Sequence, residues 1–462
     1  MQLSHTRPVA AARFDDPNLV STTGLVPMMA LAQASGLLAP ADQHLSVPTD
    51  KGANPGRKIG SLVGGMVAGA DSIADLTIVR HGAMGTVFDR PYAPSTLGSF
   101  LRQFTFGHVR QLDAVASRFL LGLAARTPVV AGIGGRVLVD IDDTIIEVYG
   151  HSKQGSGYGY SGVRGLNALL ATVTTDTAAP VIVGQRQRLR RGACGSPRGA
   201  ARMVADALAT VDRLRTHSTE TAAESTPKVL VRLDSAFYGH PTLGAAIAAG
   251  ADVSVTVRLT TTIKRAIESI DDDNAWTPIE YTDAIYDEDT DTWISRAEVA
   301  EIDFTAFASQ RKAHRTPGRL VVRRIPDLRP KKDQDQGTLF DIWRFHAFFT
   351  TTDPDDLDSV AADKLHRQHA IVEQVHADLK NSALAHQPSG RFTANAAWLV
   401  CAVMAFNLTR AAGTLTDDPK LVKATTGTIR RTVVSVPARI ASSARRLTLH
   451  LPRHWPWETA WN

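Results

Sequence analysis

Residues 136–150, RVLVDIDDTIIEVYG, set three aspartates inside a run of β-branched side chains. Alternation along a strand puts Val137, Val139 and Ile141 on one face and Leu138, Asp140 and Asp142 on the other. Thr144 continues the second face, and Asp143 points the opposite way. Burying an ionised carboxylate costs several kcal/mol unless something pairs with it. Such a strand therefore calls for a cation, an arginine or an open cleft beside it. The alternative is a strand end whose aspartates face solvent.

The rest of the chain supplies the surroundings. Its 462 residues suffice for roughly two to four domains. With 44% hydrophobic and 21% charged residues it reads as an ordinary globular protein. The net charge of +5 is mildly basic, which permits a polyanionic partner without requiring one. The two cysteines, Cys194 and Cys401, cannot make a C-x-x-C metal site or a disulfide framework, so a reducing cytoplasm is the expected compartment. No signal-peptide core opens the chain. The most apolar run, Ala396–Phe406, is too short to span a bilayer and reads as a core helix, so no membrane partner is expected.

Residues 1–127 read as a loose arm (1–15) followed by a helical N-terminal domain that could bind DNA, although no helix-turn-helix stands out. Within it, Ser95 or Thr96 is the expected cap of a helix, and a further helix covers 107–125. From Pro128 the texture changes. The aspartate strand is followed by a Gly/Tyr/Ser-rich loop and by two strand-like runs, LNALLATVTTD and PVIVGQRQRL, joined by a short turn. The three strands are expected to be antiparallel. An Ala-rich helix at 198–216, the strand KVLVRLDSAFYG ending in Asp234, a second Ala-rich helix and the strand DVSVTVRL complete 128–258. The order β-β-β-α-β-α-β matches an α/β ribonuclease-H-like mixed sheet. Residues 259–355 read as a β-rich insertion, 356–390 as a helical segment completing the core, and 391–462 as a helical C-terminal region whose Trp-rich tail packs.

The helical segment contains KLHRQHAIVEQVHADLK, in which His366, His369, Glu373, His376 and Lys380 are spaced 3, 4, 3 and 4 apart and share one face. Glu373 is thereby ringed by cations. The bland reading is a solvated stripe of ordinary helix charge pairs. The same His and Glu residues are competent zinc ligands, but the spacing lacks the i,i+4 His pair of the helical zinc motif. Asp234, at a strand end before Ser-Ala-Phe-Tyr-Gly, is on its own as consistent with a cap as with a ligand. Together, a strand Asp, a second strand-end Asp and a helical Glu could converge on two divalent ions, and hard oxygen donors suit Mg2+ or Mn2+. No G-x-x-x-x-G-K-[ST] loop occurs, so nucleotide hydrolysis is not indicated.

These residues resemble a family. VDIDDTIIEVYG with GYGYSGVRGLNALL, RLRRGACGSPRGAARMVADAL, VLVRLDSAFYG and HRQHAIVEQVHADLK are similar to blocks of DDE-type insertion-sequence transposases, closest to the insertion-sequence thirteen-eighty family. The last block matches the spacing of the Tyr-x2-Arg-x3-Glu-x6-Lys signature. The resemblance gives Asp142, Asp234 and Glu373 as catalytic and metal-holding residues. It makes Asp140 an auxiliary carboxylate and Lys380 the signature lysine. His366 stands where Tyr is expected and His369 where Arg is expected. It further implies a ribonuclease-H-like core with a β-rich insertion, two Mg2+ ions (Mn2+ as substitute), and metal-dependent cleavage and strand transfer on double-stranded DNA. The DNA comprises terminal inverted repeats and target, engaged by a homo-oligomer in the cytoplasm at the nucleoid. Arg186, Arg188, Arg190, Arg191 and Arg198 are the expected phosphate contacts near the core, with Arg430, Arg431, Arg439, Arg445 and Arg446 in the C-terminal region. A nuclease that cuts without joining, and a DNA-binding relic impaired by the two His replacements, are the rival readings.

Overall fold

A computed structural model describes residues 11–48, 50–150, 152–159, 162–189, 197–218, 227–270, 273–287, 292–326, 343–444 and 446–461. Of the expected N-terminal arm, residues 1–10 therefore lie outside the described residues. The helical N-terminal segment comprises α1 (Leu25–Ala34), α2 (Leu38–His44), α3 (Pro55–Val67), α4 (Pro94–Arg102) and α5 (Phe106–Ala124). The start of α4 differs from expectation. Ala93 is its cap and Pro94 its first helical residue, where a missing N–H costs nothing; Ser95 and Thr96 lie inside the helix. Helix α5 begins at Thr105, whose backbone N–H donates to the His108 ring in a capping box.

The aspartate run forms β1 (Val137–Glu147), followed by β2 (Arg164–Thr175), β3 (Val181–Arg188), α6 (Ala200–His217), β4 (Leu230–Leu233), α7 (His240–Ala248) and β5 (Asp252–Thr256). The expected insertion opens with α8 (Thr261–Glu268) and then builds β6 (Thr277–Asp287), β7 (Thr292–Ala306), β8 (Thr316–Pro326) and β9 (Trp343–Thr350). All these strands belong to one ten-stranded mixed sheet, in the order β3-β2-β1-β4-β5-β9-β8-β7-β6 with Gly157–Tyr158 on the end of β2. Strands β1, β2 and β3 are antiparallel neighbours, while β1, β4 and β5 run parallel. Strand β9 joins β5 antiparallel, so the second half of the sheet continues the first without a break.

Helices cover the sheet on both sides. On the Ile141 face, Ala171 pairs with Ile141 and Gly184 with Ala171. A Cβ at Gly184 would lie 2.6 Å from the Met203 sulfur, so the glycine is what lets α6 approach. On the Asp140 face lie α9 (Ser359–Arg367) and α10 (Ile371–Lys380), with a 3-10 turn, Gln368–Ala370, between them. Helix α11 (Phe392–Gly413) packs on α3, α5 and β3. It is 22 residues long, apolar enough to cross a membrane by length and composition, and buried inside the protein. Its buried Asn407 clamps β3: the amide oxygen accepts from Ile182 N at 3.0 Å and the amide nitrogen donates to Ile182 O at 2.8 Å.

The chain after α11 departs from the expected helical region. Two strands, β10 (Ala438–Ser443) and β11 (Arg446–His450), form an antiparallel hairpin joined by Leu19–Val20 into a three-stranded sheet. Ala438 and Ile440 are buried and Arg439 between them is exposed, a period of two that the helix propensity of Ala and Arg conceals. The tail packs as expected, with Trp455 Nε1 donating to Thr432 O at 3.1 Å.

Replacing Asn407 by Ala leaves a backbone N–H and a C=O of β3 buried without partners. We expect a loss of about 2–4 kcal/mol in stability, read as a lower midpoint in urea unfolding.

Candidate functional site

The site begins with register. In the parallel pairing of β1 with β4, Asp140 lies opposite Arg232 and Ile141 opposite Leu233. The residues that follow, Asp142 and Asp234, come side by side where β4 ends. Asp234 is exposed and caps the turn Ser235–Phe237, its carboxylate accepting from Ser235 N–H. Both the cap and the ligand readings of this residue are thus compatible with its position. Asp142 is half-buried. Burial first, and the charges of Asp143 and Asp234 after it, push its carboxyl up to about 6, against the opposing hydrogen bond from the Asp143 backbone and the charge of His369.

Two residues back on the same face, Asp140 is in the opposite situation. It is fully buried, and Arg232 grips both its oxygens, Nε on Oδ1 and Nη2 on Oδ2, each at 2.7 Å. His369 adds a third contact, Nδ1 to Oδ1 at 2.8 Å. Burial alone would raise the Asp140 carboxyl; the hydrogen bonds from His369 and Arg232 and their charges hold it below its ordinary value. Arg232 was absent from the sequence-based candidates. Its signal was the repeat of one pattern: Arg232-x-Asp234 on β4 mirrors Asp140-x-Asp142 on β1. Asp143, on the other face, pairs with Arg188.

The segment 364–380 is expected to present one continuous polar face, and it does not. The 3-10 turn separates His366 from the rest. His366 is stacked on Phe348, ring centroids 4.1 Å apart and planes nearly parallel. Its two nitrogens meet Ser254 Oγ at 2.8 Å and Thr256 Oγ1 at 3.0 Å on β5. Burial drives its pKa down to about 3, so the ring is neutral at pH 7. His376, whose Nδ1 lies 3.8 Å from Asp142 Oδ2, is pushed by burial down to about 4. Glu373 is therefore not ringed by cations, because burial removes the charge from two of its three histidines. The zinc alternative also fails, since His366 and His369 have their nitrogens turned to β5 and Asp140. Glu373 itself is exposed, on the α10 face whose neighbours His369 and His376 reach Asp140 and Asp142. Lys380 is exposed at the end of that face; burial of part of its stem lowers its pKa while the Asp142 charge acts to raise it.

The expected phosphate contacts divide. Arg186 is committed to Asp113 at 2.8 Å and Asp206 at 2.7 Å, and Arg188 to Asp143 and Asn167, so these two brace β3 rather than project from it. Arg198 is exposed. Arg190, Arg191 and Arg445 lie outside the described residues. Arg430 packs over Gly69, Arg439 faces Asp16 at 3.4 Å, and Arg431 and Arg446 are exposed.

Among the described residues, no three His, Cys, Asp or Glu side chains already stand as a set that could hold a metal ion. The structure brings Asp142 and Asp234 together and leaves Glu373 separate from them. The donors nevertheless suit a hard divalent cation. They are carboxylates, and the anion of Asp142 is opposed by burial and by Asp143 and Asp234 more than the Asp143 backbone and the His369 charge favour it.

The neutral His366 gives a pH dependence. Its folded pKa lies below the ordinary 6.5, so below that pH the unfolded chain takes up a proton that the folded chain refuses. Stability present above pH 6.5 is lost as pH falls. Between pH 6.5 and 5 the loss from this residue is about 2 kcal/mol. His366→Phe should be less stable than the wild type at pH 7 but show a shallower fall in melting temperature between pH 7 and 5.

A comparison with curated proteins gives no match. A family model described as transposase DDE domain, group 1, matches residues 2–462, essentially the whole chain. Asp142 within β1 and Asp234 just past the end of β4, on a mixed α/β sheet with a glutamate-bearing helix nearby, belong to a chain that is a member of the DDE transposase family.

Proposed function

We propose that this chain is a DNA transposase of the insertion-sequence thirteen-eighty type, cutting at transposon ends and joining the freed 3′ end to target DNA. The observation that supports the reading is the placing of Asp142, inside β1, near Asp234, just past the end of the parallel strand β4, two carboxylates whose like charges call for a cation. The strand order β3-β2-β1-β4-β5, with three antiparallel strands followed by two parallel ones, supports a ribonuclease-H-like core. Asp142 and Asp234 would hold two Mg2+ ions from the sheet, and Glu373 would supply the third carboxylate from α10. Mn2+ has the same preference for oxygen donors. Bound there, the ions activate a water or a 3′-hydroxyl and stabilise the leaving oxygen of the phosphodiester.

The protein's own groups do the rest. Lys380, exposed on the same helix face and within the field of Asp142, offers a cation to a phosphate beside the carboxylates. Arg198, exposed ahead of α6, offers a further cation to DNA phosphate. Binding to double-stranded DNA, both terminal inverted repeats and target, should fall steeply with salt as phosphate counterions are released. Pairing of two ends requires a homo-oligomer on DNA, and the protein acts at the nucleoid in the cytoplasm.

The test uses the full chain with pre-cleaved and intact transposon ends in Mg2+. We expect both cutting and strand transfer. Asp142→Asn, Asp234→Asn and Glu373→Gln should each reduce both by more than about a hundredfold, a range already lost when only the supporting partners of a metal ligand are removed. DNA-end binding should persist. Cutting without joining would make the chain a nuclease, and full activity in Glu373→Gln would remove the helix from the site.

A further inference from the structure

Three elements carry the proposed ligands, and one buried carboxylate touches all three. Asp140 lies two residues before Asp142 on β1. Arg232, which grips it, lies two residues before Asp234 on β4. His369, its second partner, lies four residues before Glu373, in the turn that leads into α10. Arg232 also donates from Nη1 to Leu365 O at 2.5 Å, at the last turn of α9, so the guanidinium ties the approach to the glutamate helix as well. Every contact of this cluster is therefore a fixed, short step along the chain from one member of the carboxylate set.

Resting on the transposase reading above, we propose that Asp140, Arg232 and His369 form a buried clamp whose task is to set the separation of Asp142, Asp234 and Glu373, with His369 as the positioning residue for Glu373. The chemistry favours a clamp over a filler. A buried ion pair adds little net stability compared with apolar side chains of the same shape, whereas its fixed, bidentate geometry specifies register. Here β1 and β4 already have eight backbone partners in register, four on each strand, so the ion pair is not needed to hold them together. Helix α10, by contrast, meets β1 through side chains alone, and His369 supplies a hydrogen bond from the helix side at the turn entering it. His369 stands where the family signature has arginine. In this chain the residue points inward to Asp140, where a second guanidinium beside Arg232 would crowd two like charges onto one carboxylate.

The experiment compares His369→Ala, which removes the donor, with His369→Asn, whose amide can stand in for Nδ1. Three quantities are read on the full chain: Mn2+ affinity from the free-ion electron paramagnetic resonance signal, kcat and KM for cleavage of an end-bearing duplex, and the melting temperature without metal. We expect His369→Ala to weaken Mn2+ binding at least tenfold and to lower kcat at least tenfold with KM for DNA unchanged, and His369→Asn to recover most of both. If His369→Ala does not fold, His369→Phe, which keeps ring volume without a donor, replaces it. Wild-type Mn2+ affinity and kcat in the donor-less variant overturn the clamp, as does His369→Asn with the same defect as His369→Ala. A kcat loss that simply tracks the melting temperature, with Mn2+ binding intact, also overturns it. A wild-type chain that neither binds Mn2+ nor cuts overturns the transposase reading itself, and the clamp with it, which is a distinguishable result.

Discussion

The parallel pairing of β1 with β4 is the constraint on which the site depends. Parallel strands in one sheet need a crossover, and α6 with the chain after it supplies one between β3 and β4. Once the pairing register is fixed, alternation decides everything on the Asp140 face. Asp140 must meet Arg232, and Asp142 must meet Asp234, because both pairs sit two residues apart on strands that advance together. A slip of one residue would put Asp140 beside Val231 or Leu233 and bury its charge unpaired. The buried ion pair thus reports on register with a penalty that apolar neighbours could not impose.

What was legible in the sequence followed from local period. The β1 alternation, the assignment of Asp140 and Asp142 to one face, the strand ending before Asp234 and the limits of α5 and α6 all lie close to where the residue pattern put them. What was not legible depended on partners far away in the chain. The hairpin β10–β11 alternates in only a few residues and is completed by Leu19–Val20, more than four hundred residues earlier. Arg186 reads as a free cation until Asp113 and Asp206 are brought to it by two different helices.

The break between α9 and α10 shows the same limit most sharply. Nothing in HRQHAIVEQ contains a helix breaker, and in a straight helix His366 and His369 would point the same way. Their targets forbid it. His366 is held by Ser254 and Thr256 on β5, and His369 by Asp140 on β1, with β4 between those strands. Two strand spacings amount to about 10 Å, whereas neighbours on one helix face are about 5–6 Å apart. At Gln368–Ala370 the chain leaves the α-helix for a 3-10 turn, whose longer rise, about 2.0 Å per residue against 1.5 Å, moves the two rings further apart along the axis.

The two aspartates of one strand face finally distinguish structure from chemistry. Asp140 has its charge answered within the protein by Arg232 and His369, and its carboxyl is held low. Asp142, one pleat further on and nearer solvent, has His376, kept neutral by burial, beside it, and burial with the charges of Asp143 and Asp234 outweighs the Asp143 backbone hydrogen bond and the His369 charge, so its carboxyl is held high. Residues that could have neutralised Asp142 are available nearby: Arg188 is spent on Asp143 across the sheet, and Lys380 reaches it only through its field. Asp140 thus has a bidentate guanidinium and an imidazole, whereas among the described residues Asp142 has no such charged clamp. With Asp234 nearby and Glu373 exposed on α10, that difference between two aspartates of one strand face is what the proposed divalent-cation site rests on.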